Sequence, residues 1–229
     1  MRINKYISLT GYCSRRETDR LIDAKRITIN GKTCVPGDSV EPGDTVLIDH
    51  KPIPMKEESI YLAFYKPVGI TCTAQKLVKD NIIDYINFPT RVFPVGRLDK
   101  ASEGLILLTN DGDIVNKMMR SENNHQKEYI VTVDKSINSD FIKGMSNGVK
   151  ILSTITNPCI VTKIDEHVFS IILTQGLNRQ IRRMCKVLGY KVVRLQRVRI
   201  MNITSEHLEV GQWRYLTDEE LSCLKNTLK

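Results

Sequence analysis

The fold is most constrained by a short apolar run that directly follows a charged loop. The run covers residues 104–109, Gly-Leu-Ile-Leu-Leu-Thr, and its length and composition predict a buried β-strand. The loop before it, residues 96–100, reads Gly-Arg-Leu-Asp-Lys and places Asp99 between two cations. Because a buried strand holds such a loop rigidly, the Asp99 carboxylate can be aimed at a reacting group. Asp99 is therefore the first candidate for a catalytic residue.

Length and charge limit the kinds of partner. The 229 residues allow one large domain or two unequal ones. Lys and Arg number 34 against 26 acidic residues, a formal charge of +8 that favours a polyanion. Charge alone leaves open a basic protein without such a partner, so the positions of the cations have to decide.

The cysteines and apolar segments argue against several classes of protein. None of the six cysteines has C-x-x-C spacing or is grouped with histidine, so we expect no metal site. No apolar run approaches the roughly 20 residues of a membrane span, and Arg2 and Lys5 open a mixed polar sequence unlike a signal peptide. We expect a cytoplasmic protein that makes no membrane contact and is a monomer.

Turn signals divide the chain into two predicted domains. Residues 1–52 carry short amphipathic helices, a strand and an Asn-Gly hairpin turn, and residues 53–58 combine prolines with charges as linkers do. Residues 59–229 read as a mixed α+β domain, because strands do not alternate regularly with helices as they do in a doubly wound sheet.

Helix ends and one irregular strand are predicted from local patterns. Capping boxes are expected at Ser14 with Glu17 and at Thr217 with Glu220. Asn178 is expected to cap a helix that stops at Gly189. In residues 191–203 two apolar pairs are out of phase, which predicts an inserted residue between them.

Two arginines occupy the first turn of the predicted helix that follows Ser14. The helix dipole disfavours cations there, so Arg15 and Arg16 suggest an external anion, such as a phosphate held together with the helix N–H groups. Lys5 and Lys32 extend this patch. A solvated surface balanced by nearby acids is the alternative.

The predicted helix after Asn178 carries four cations on one face. These cations are Arg179, Arg182, Arg183 and Lys186. Another face of the helix carries an apolar stripe, which predicts that this face is buried. The stripe consists of Ile181, Met184, Cys185 and Leu188. Cations of one sign repel one another, so the pattern favours a phosphate backbone or one arginine directed into a site. A basic surface helix is the alternative.

These segments together resemble a known family. Residues 2 to about 50 resemble an S4 RNA-binding domain, with Cys-Ser-Arg-Arg-Glu at 13–17 and Ile-Asn-Gly-Lys at 29–32. Residues 59–229 resemble the RsuA-type pseudouridine synthases (RsuA, RluB, RluE and RluF), which modify uridines in ribosomal RNA. The matching segments are residues 66–69, 96–112, 127–129 and 176–184. Residues 144–149 and 199–202, and Leu177 where many relatives carry a basic residue, fit the RluF branch best.

The resemblance implies both a fold and an activity. The fold is an S4 domain followed by a catalytic domain with a mixed, mainly antiparallel sheet flanked by helices. The activity is isomerisation of uridine to pseudouridine in a loop of 23S ribosomal RNA, by base flipping and rearrangement at C1′, with no cofactor or metal. The alternatives are a synthase for small-subunit ribosomal RNA or a tRNA anticodon loop, and a non-catalytic S4-type factor in ribosome assembly.

The resemblance also implies roles for individual residues. Asp99 is the catalytic carboxylate, which either attacks C1′ or takes a proton from C2′. Tyr129 stacks on the flipped base, and Arg182 forms a salt bridge with Asp99. Contacts to RNA are implied for Arg97, Leu98, Lys100, Arg179, Gln180, Ile181 and Arg183, and in the S4 unit for Lys5, Arg15, Arg16 and Lys32.

Overall fold

The computed structural model of the chain describes residues 1–54, 58–75, 77–119 and 124–228. Contacts group the chain into two compact units. The first is Met1–Ser59 with Pro89–Arg91 and Asn110–Gly112, and the second is Ile60–Phe88, Val92–Thr109 and Asp113–Lys229. Residues 55–57 of the predicted linker 53–58 lie outside the described residues.

The first unit packs two helices on a small antiparallel sheet. The helices are α1 (Ile3–Leu9) and α2 (Arg15–Asp23), and the strands β1 (Ile27–Ile29), β2 (Lys32–Thr33), β3 (Val46–Ile48) and β4 (Lys51–Pro52) lie in the order β2-β1-β3-β4. Their core contains Ile3, Ile7, Leu21 and Ile27, all buried.

Only half of the capping box predicted at Ser14 is present. The Ser14 hydroxyl accepts a hydrogen bond from the Glu17 N–H at 3.1 Å, as predicted. The Glu17 carboxylate does not return the bond but accepts one from Arg20 at 2.9 Å. The box predicted at the last helix is complete, since Thr217 and Glu220 each accept from the other's backbone N–H.

The second unit is built on one large sheet with helices beside it. Its strands are β5 (Tyr61–Lys66), β6 (Phe93–Val95), β7 (Glu103–Thr109), β8 (Lys127–Val133), β9 (Lys150–Ile151), β10 (Thr154–Ile155), β11 (Ile160–Lys163), β12 (Val168–Leu173), β13 (Val192–Ile200), β14 (Ile203–Thr204) and β15 (Trp213–Tyr215). Its helices are α3 (Ile82–Ile86), α4 (Gly112–Met119), α5 (Ser139–Ser146), α6 (Gln180–Val187) and α7 (Asp218–Thr227).

The sheet is mixed and mainly antiparallel, as expected. Its order is β11-β12-β8-β13-β7-β5-β15, with β14 beside β13 and β6 beside β7, while β9 and β10 form a separate hairpin. Within the described ranges every strand pair of this sheet is antiparallel except β13 with β7. The α+β class is therefore confirmed. No helix within the described ranges is long and apolar enough to span a membrane.

Strand β7 confirms the buried strand predicted for residues 104–109. All seven of its residues are buried. Leu105 and Leu107 belong to one apolar cluster, while Ile106 and Leu108 belong to another, so the strand has a core on each face. Burial on both faces explains why its sequence is continuously apolar rather than alternating.

The parallel contact between β7 and β13 requires a glycine. Gly104 lies opposite Arg197, has a φ of +105°, and a Cβ added to it would lie 2.2 Å from the Arg197 carbonyl oxygen. In β13 the register with β8 shifts between Arg197 and Arg199, which confirms the inserted residue predicted in this stretch. A second shift lies between Val192 and Arg194.

Gly104→Ala should therefore lower the free energy of unfolding by more than about 2 kcal/mol. The new methyl group would clash with the backbone of Arg197, and alanine would have to adopt the positive φ of residue 104. Gly176→Ala is the matched control, since a Cβ there meets nothing within 4 Å, and its effect should stay below about 1 kcal/mol. Urea unfolding followed by the fluorescence of Trp213 measures both. Equal effects of the two variants would contradict the close approach at Gly104.

Candidate active site

A cleft of about 570 Å³ lies in the second unit. Its walls come from the loop before β7, from β8, from the segment between β12 and α6, and from β13. The lining includes Arg97, Leu98, Asp99, Lys100, Lys127, Tyr129, Arg179, Gln180, Ile181, Arg182 and Arg197. The structure thus brings Asp99, Tyr129 and Arg182, the three predicted catalytic residues, to one cleft.

The loop that carries Asp99 is fixed from several sides. The Leu98 side chain is only 7% exposed and packs in the same cluster as Ile106, while its N–H donates to the Cys72 sulfur at 3.4 Å. The Asp99 carbonyl accepts from the Ser102 N–H at 3.0 Å, and the Lys100 carbonyl accepts from the Gly69 N–H at 2.8 Å. The Asp99 side chain remains 33% exposed, so the loop holds a carboxylate that a ligand in the cleft can reach.

The cation paired with Asp99 is Arg179. Its Nη1 lies 3.8 Å from the Asp99 Oδ2. Arg179 is the residue before α6 and has a left-handed backbone, with φ of 51° and no side-chain cap. The prediction that Asn178 caps this helix is therefore wrong. The carbonyl and side-chain oxygens of Asn178 instead accept hydrogen bonds from Arg183 at 3.0 and 3.2 Å.

Arg182 binds backbone instead of pairing with Asp99. Its Nη2 donates to the Ala101 carbonyl at 2.8 Å and to the Ser102 hydroxyl at 3.2 Å, and its Nη1 donates to the Val192 carbonyl at 3.3 Å. Burial lowers the pKa of the Arg182 guanidinium, Arg179 lowers it further, and Asp99 raises it. The predicted salt bridge between Arg182 and Asp99 is thus corrected. Arg182 joins α6 to β13 and to the residues just after Asp99, because three neutral acceptors bind its terminal nitrogens Nη1 and Nη2.

Helix α6 buries its predicted apolar stripe and closes the cleft from one side. Ile181, Met184 and Cys185 lie in the core. The buried Gln180 side chain accepts from the Leu177 N–H at 3.0 Å and donates to Gln175 at 3.4 Å. These two bonds order the segment before the helix.

Tyr129 lies at the start of β8 and packs against two core clusters while lining the cleft. Opposite it in β13 stands Arg197. The ring is therefore held by its neighbours, with one side available to a ligand.

The remaining predicted RNA contacts lie in two places. Arg97 and Lys100 are exposed at the cleft, and Lys100 lies 3.5 Å from the Asp80 carboxylate. In the first unit Arg15, Arg16 and Lys32 are exposed, and Lys5 is half-buried. Among the described residues no group of three or more His, Cys, Asp and Glu side chains is placed to hold a metal ion.

Comparison with known proteins identifies the family. The profile described as RNA pseudouridylate synthase matches residues 60–186, which is more than half of the chain. The chain belongs to the RNA pseudouridylate synthase family. A second profile, described as S4 domain, matches residues 1–46.

Two curated relatives and one solved structure support the same family. The dual-specificity RNA pseudouridine synthase RluF of Escherichia coli (strain K12) is 53% identical over 223 residues, 96% of this chain and 77% of that protein. The ribosomal large subunit pseudouridine synthase B of Bacillus subtilis (strain 168) is 30% identical, covering 98% of this chain and 95% of that protein. A crystal structure of a pseudouridylate synthase aligns with a TM-score of 0.72 at 26% identity, over 98% of this chain and 99% of that one. The expected family, the S4 domain and the likeness to RluF are confirmed.

The sequence patterns missed two buried cations, Lys66 and Arg197, and one half-buried cation, Lys127, in this pseudouridylate synthase domain. Lys66 is fully buried, donates to the Pro67 carbonyl at 2.7 Å and to the Ile70 carbonyl at 2.9 Å, and burial lowers its pKa to about 8. Burial, and then the charge of Arg197, also lower the pKa of Lys127. Lys66 is the last residue of β5 and Lys127 the first residue of β8, positions where a sequence pattern predicts an exposed cation. Arg197 lies among other arginines that are less buried.

Arg182→Met should lower the free energy of unfolding by about 2–3 kcal/mol, because three acceptors lose their donor. Arg179→Met removes the same charge one turn earlier and should cost less than about 1 kcal/mol, since its ion pair is exposed. Urea unfolding of the two variants gives the comparison. If Arg179→Met were as destabilising as Arg182→Met, Arg182 would not be the structural link.

Proposed function

We propose that this protein isomerises uridine to pseudouridine in RNA, with a loop of 23S ribosomal RNA as its substrate. The observation that carries the proposal is a single cleft in which a fixed, reachable carboxylate, Asp99, meets an aromatic ring, Tyr129. The names of the relatives, RNA pseudouridine synthase and ribosomal large subunit pseudouridine synthase, support the reaction and the substrate class.

Asp99 is the proposed catalytic residue. In this reaction the bond between C1′ and N1 of uracil breaks, the ring turns, and a bond forms between C1′ and C5. The C5 proton leaves and N1 gains a proton, so nothing is oxidised or hydrolysed. Asp99 acts as a carboxylate: it either attacks C1′ and forms an ester that breaks when C5 bonds to C1′, or it takes the C2′ proton and returns it when that bond forms. Arg179 supplies the positive charge beside it.

Tyr129 is the proposed stacking partner of the flipped base. A uridine cannot react within a helical stack, and extruding it costs a few kcal/mol, less in a loop than in a duplex. The cleft volume of about 570 Å³ is in the range of small-molecule sites and admits one nucleotide. Ile181 then forms part of the apolar wall of the cleft, and Leu98 anchors the Asp99 loop. Both are buried, so neither is proposed as an exposed RNA contact.

Exposed and half-buried cations are proposed to hold phosphates. Arg97 and Lys100 flank Asp99 at the cleft, where an extruded nucleotide has a phosphate on each side. Arg179 also lines the cleft and directly precedes α6, and Arg183 lies in the first turn of that helix. In the S4 domain Arg15, Arg16, Lys5 and Lys32 are proposed to add affinity for structured RNA.

A second RNA substrate is favoured by one observation. The relatives at about half identity are named dual-specificity RNA pseudouridine synthases. We infer that this protein also acts on a second RNA, such as a tRNA anticodon loop, and that it works as a monomer in the cytoplasm. Mapping pseudouridines in total RNA from cells with and without the protein identifies the substrates. A map without a lost site in 23S RNA would exclude the proposed substrate.

Asp99→Asn should abolish pseudouridine formation, with a loss of at least about 10³-fold, while RNA binding stays within a few-fold of the wild type. Asp140→Asn is the control, because Asp140 is an exposed acid in the first turn of α5, and it should keep full activity. Single-turnover conversion of a 23S RNA fragment and its Kd are measured side by side. Substantial turnover by Asp99→Asn would refute its role.

The S4 domain should add a salt-dependent part to RNA binding. Replacing both Arg15 and Arg16 with glutamine should reduce the slope of log Kd against log salt by about 1.5–2, because two phosphate contacts are lost. Arg20→Gln is the control on the same helix, since Arg20 already pairs with Glu17. Filter binding at several salt concentrations gives the slopes. An unchanged slope in the double variant would mean that these arginines do not contact phosphates.

A further inference from the structure

Arg197 combines deep burial with a place in the cleft. Its side chain is only 3% exposed, yet it lines the same cavity as Asp99. It stands directly opposite Tyr129 in the β13–β8 pairing, and residues directly opposite in antiparallel strands project to the same face of a sheet. The proposed stacking ring and a buried guanidinium are therefore neighbours.

The guanidinium of Arg197 has one acceptor among the described residues. Its Nε donates to the Leu105 carbonyl at 2.7 Å, and this is its single hydrogen bond within the part of the chain that the structure describes. Its Nη2 is buried without a partner, and no carboxylate among the described residues forms an ion pair with it. Arg182 differs, since three acceptors bind it and only its Nε lacks one.

Such an arrangement costs stability unless a ligand uses it. A buried charge loses its hydration, and the loss is recovered only through hydrogen bonds and opposite charge. The surroundings of Arg197 add like charge instead, because Arg197 lowers the pKa of both Lys66 and Lys127 in addition to the larger effect of their burial. The cleft therefore presents unsatisfied positive charge that suits a negatively charged oxygen from outside the chain.

The reaction in the proposed function creates such an oxygen. When the C1′–N1 bond breaks, its electron pair stays on the uracil ring and spreads onto the two carbonyl oxygens, O2 and O4. The charge disappears again when C5 bonds to C1′, the C5 proton leaves and N1 is protonated. A donor aimed at a ring carbonyl binds most strongly while the ring is detached, which is the condition for accelerating the reaction.

We propose that Arg197 is a catalytic residue that donates a hydrogen bond from a terminal guanidinium nitrogen to a carbonyl oxygen of the flipped uracil. It stabilises the negative charge on the ring between bond breaking and bond formation. The inference rests on the proposed function. The close approach of Gly104 to Arg197 places this part of β13 beside the start of β7, which follows the Asp99 loop.

The first measurement compares variants under single-turnover conditions. Arg197→Met should slow conversion by about 10²-fold, as loss of one such donor does in other enzymes, while Kd for RNA changes less than about threefold. Arg197→Lys keeps the charge without the guanidinium geometry, and its rate of conversion should lie between those of the wild type and Arg197→Met. Arg199→Met is the matched control, because Arg199 lies on the same strand, is bound by Glu128 and Met201, and does not line the cleft.

The second measurement tests the contact itself. Wild type and variant are assayed on RNA with uridine, 2-thiouridine or 4-thiouridine at the target position, since sulfur is a weaker acceptor than oxygen. At the contacted carbonyl the thio substitution should slow the wild type about tenfold more than it slows Arg197→Met. At the other carbonyl the two enzymes should respond equally, and the pattern therefore identifies O2 or O4.

The outcomes separate the inference from the proposed function. If the wild type makes no pseudouridine in any RNA, the proposed function fails and the inference fails with it. If the wild type is active but both thio substitutions affect the two enzymes equally, within about twofold, Arg197 makes no such contact. If Arg197→Met does not fold, as judged by Trp213 fluorescence and urea unfolding, Arg197→Lys takes its place. The contact is then supported if the thio effect at one carbonyl is more than about twofold larger in the wild type than in Arg197→Lys, and it is refuted if the two enzymes respond equally at both carbonyls.

Discussion

The site depends on the place where β7 and β13 run side by side. These are the only neighbouring strands of the large sheet that pair in parallel within the described ranges, and they meet where Gly104 lies against Arg197. The loop with Asp99 leads into β7, while Tyr129 stands on β8 at the other side of β13. A side chain at position 104 would separate the strands, and with them the carboxylate from the ring. The chemistry of the cleft thus rests on a backbone contact that has no room for a Cβ.

Three arginines around the cleft have different roles because they differ in burial and in the hydrogen-bond acceptors around them. Arg179 is exposed and gives its charge to Asp99 at 3.8 Å. Arg182 is partly buried and has three backbone or hydroxyl acceptors, so it serves as a structural link. Arg197 is the most buried of the three, and its only hydrogen bond among the described residues is from Nε to the Leu105 carbonyl, so its terminal nitrogens keep the capacity to bind a ligand. The same side chain takes different roles because the hydrogen bonds available at each position differ.

Local patterns were sufficient for much of the fold. The strand at residues 104–109, the insertion in β13 and the capping box at Thr217 each depend on neighbours in sequence, and each is present. The cleft position of Asp99 also followed from the strand behind it. The partners of Arg182 and Arg197 could not be predicted this way, because the acceptors Ala101 and Leu105 lie 81 and 92 residues away along the chain. The helix cap assigned to Asn178 is absent for a different, local reason: its oxygens accept hydrogen bonds from Arg183, and the chain turns at Arg179 instead.

The excess of cations in the cleft is consistent with a reaction that uses one carboxylate. A second acid near Asp99 would serve to activate water, which this isomerisation must exclude, and it would neutralise Arg197 before the substrate arrives. Instead the nearby acid Glu103 is already bound by Arg194, which leaves the cleft positive. The uracil ring supplies the negative charge that the cleft lacks. It is neutral when the uridine enters and becomes negative only while the glycosidic bond is broken. The cleft therefore attracts the ring most strongly at the stage of the reaction when the ring could otherwise leave.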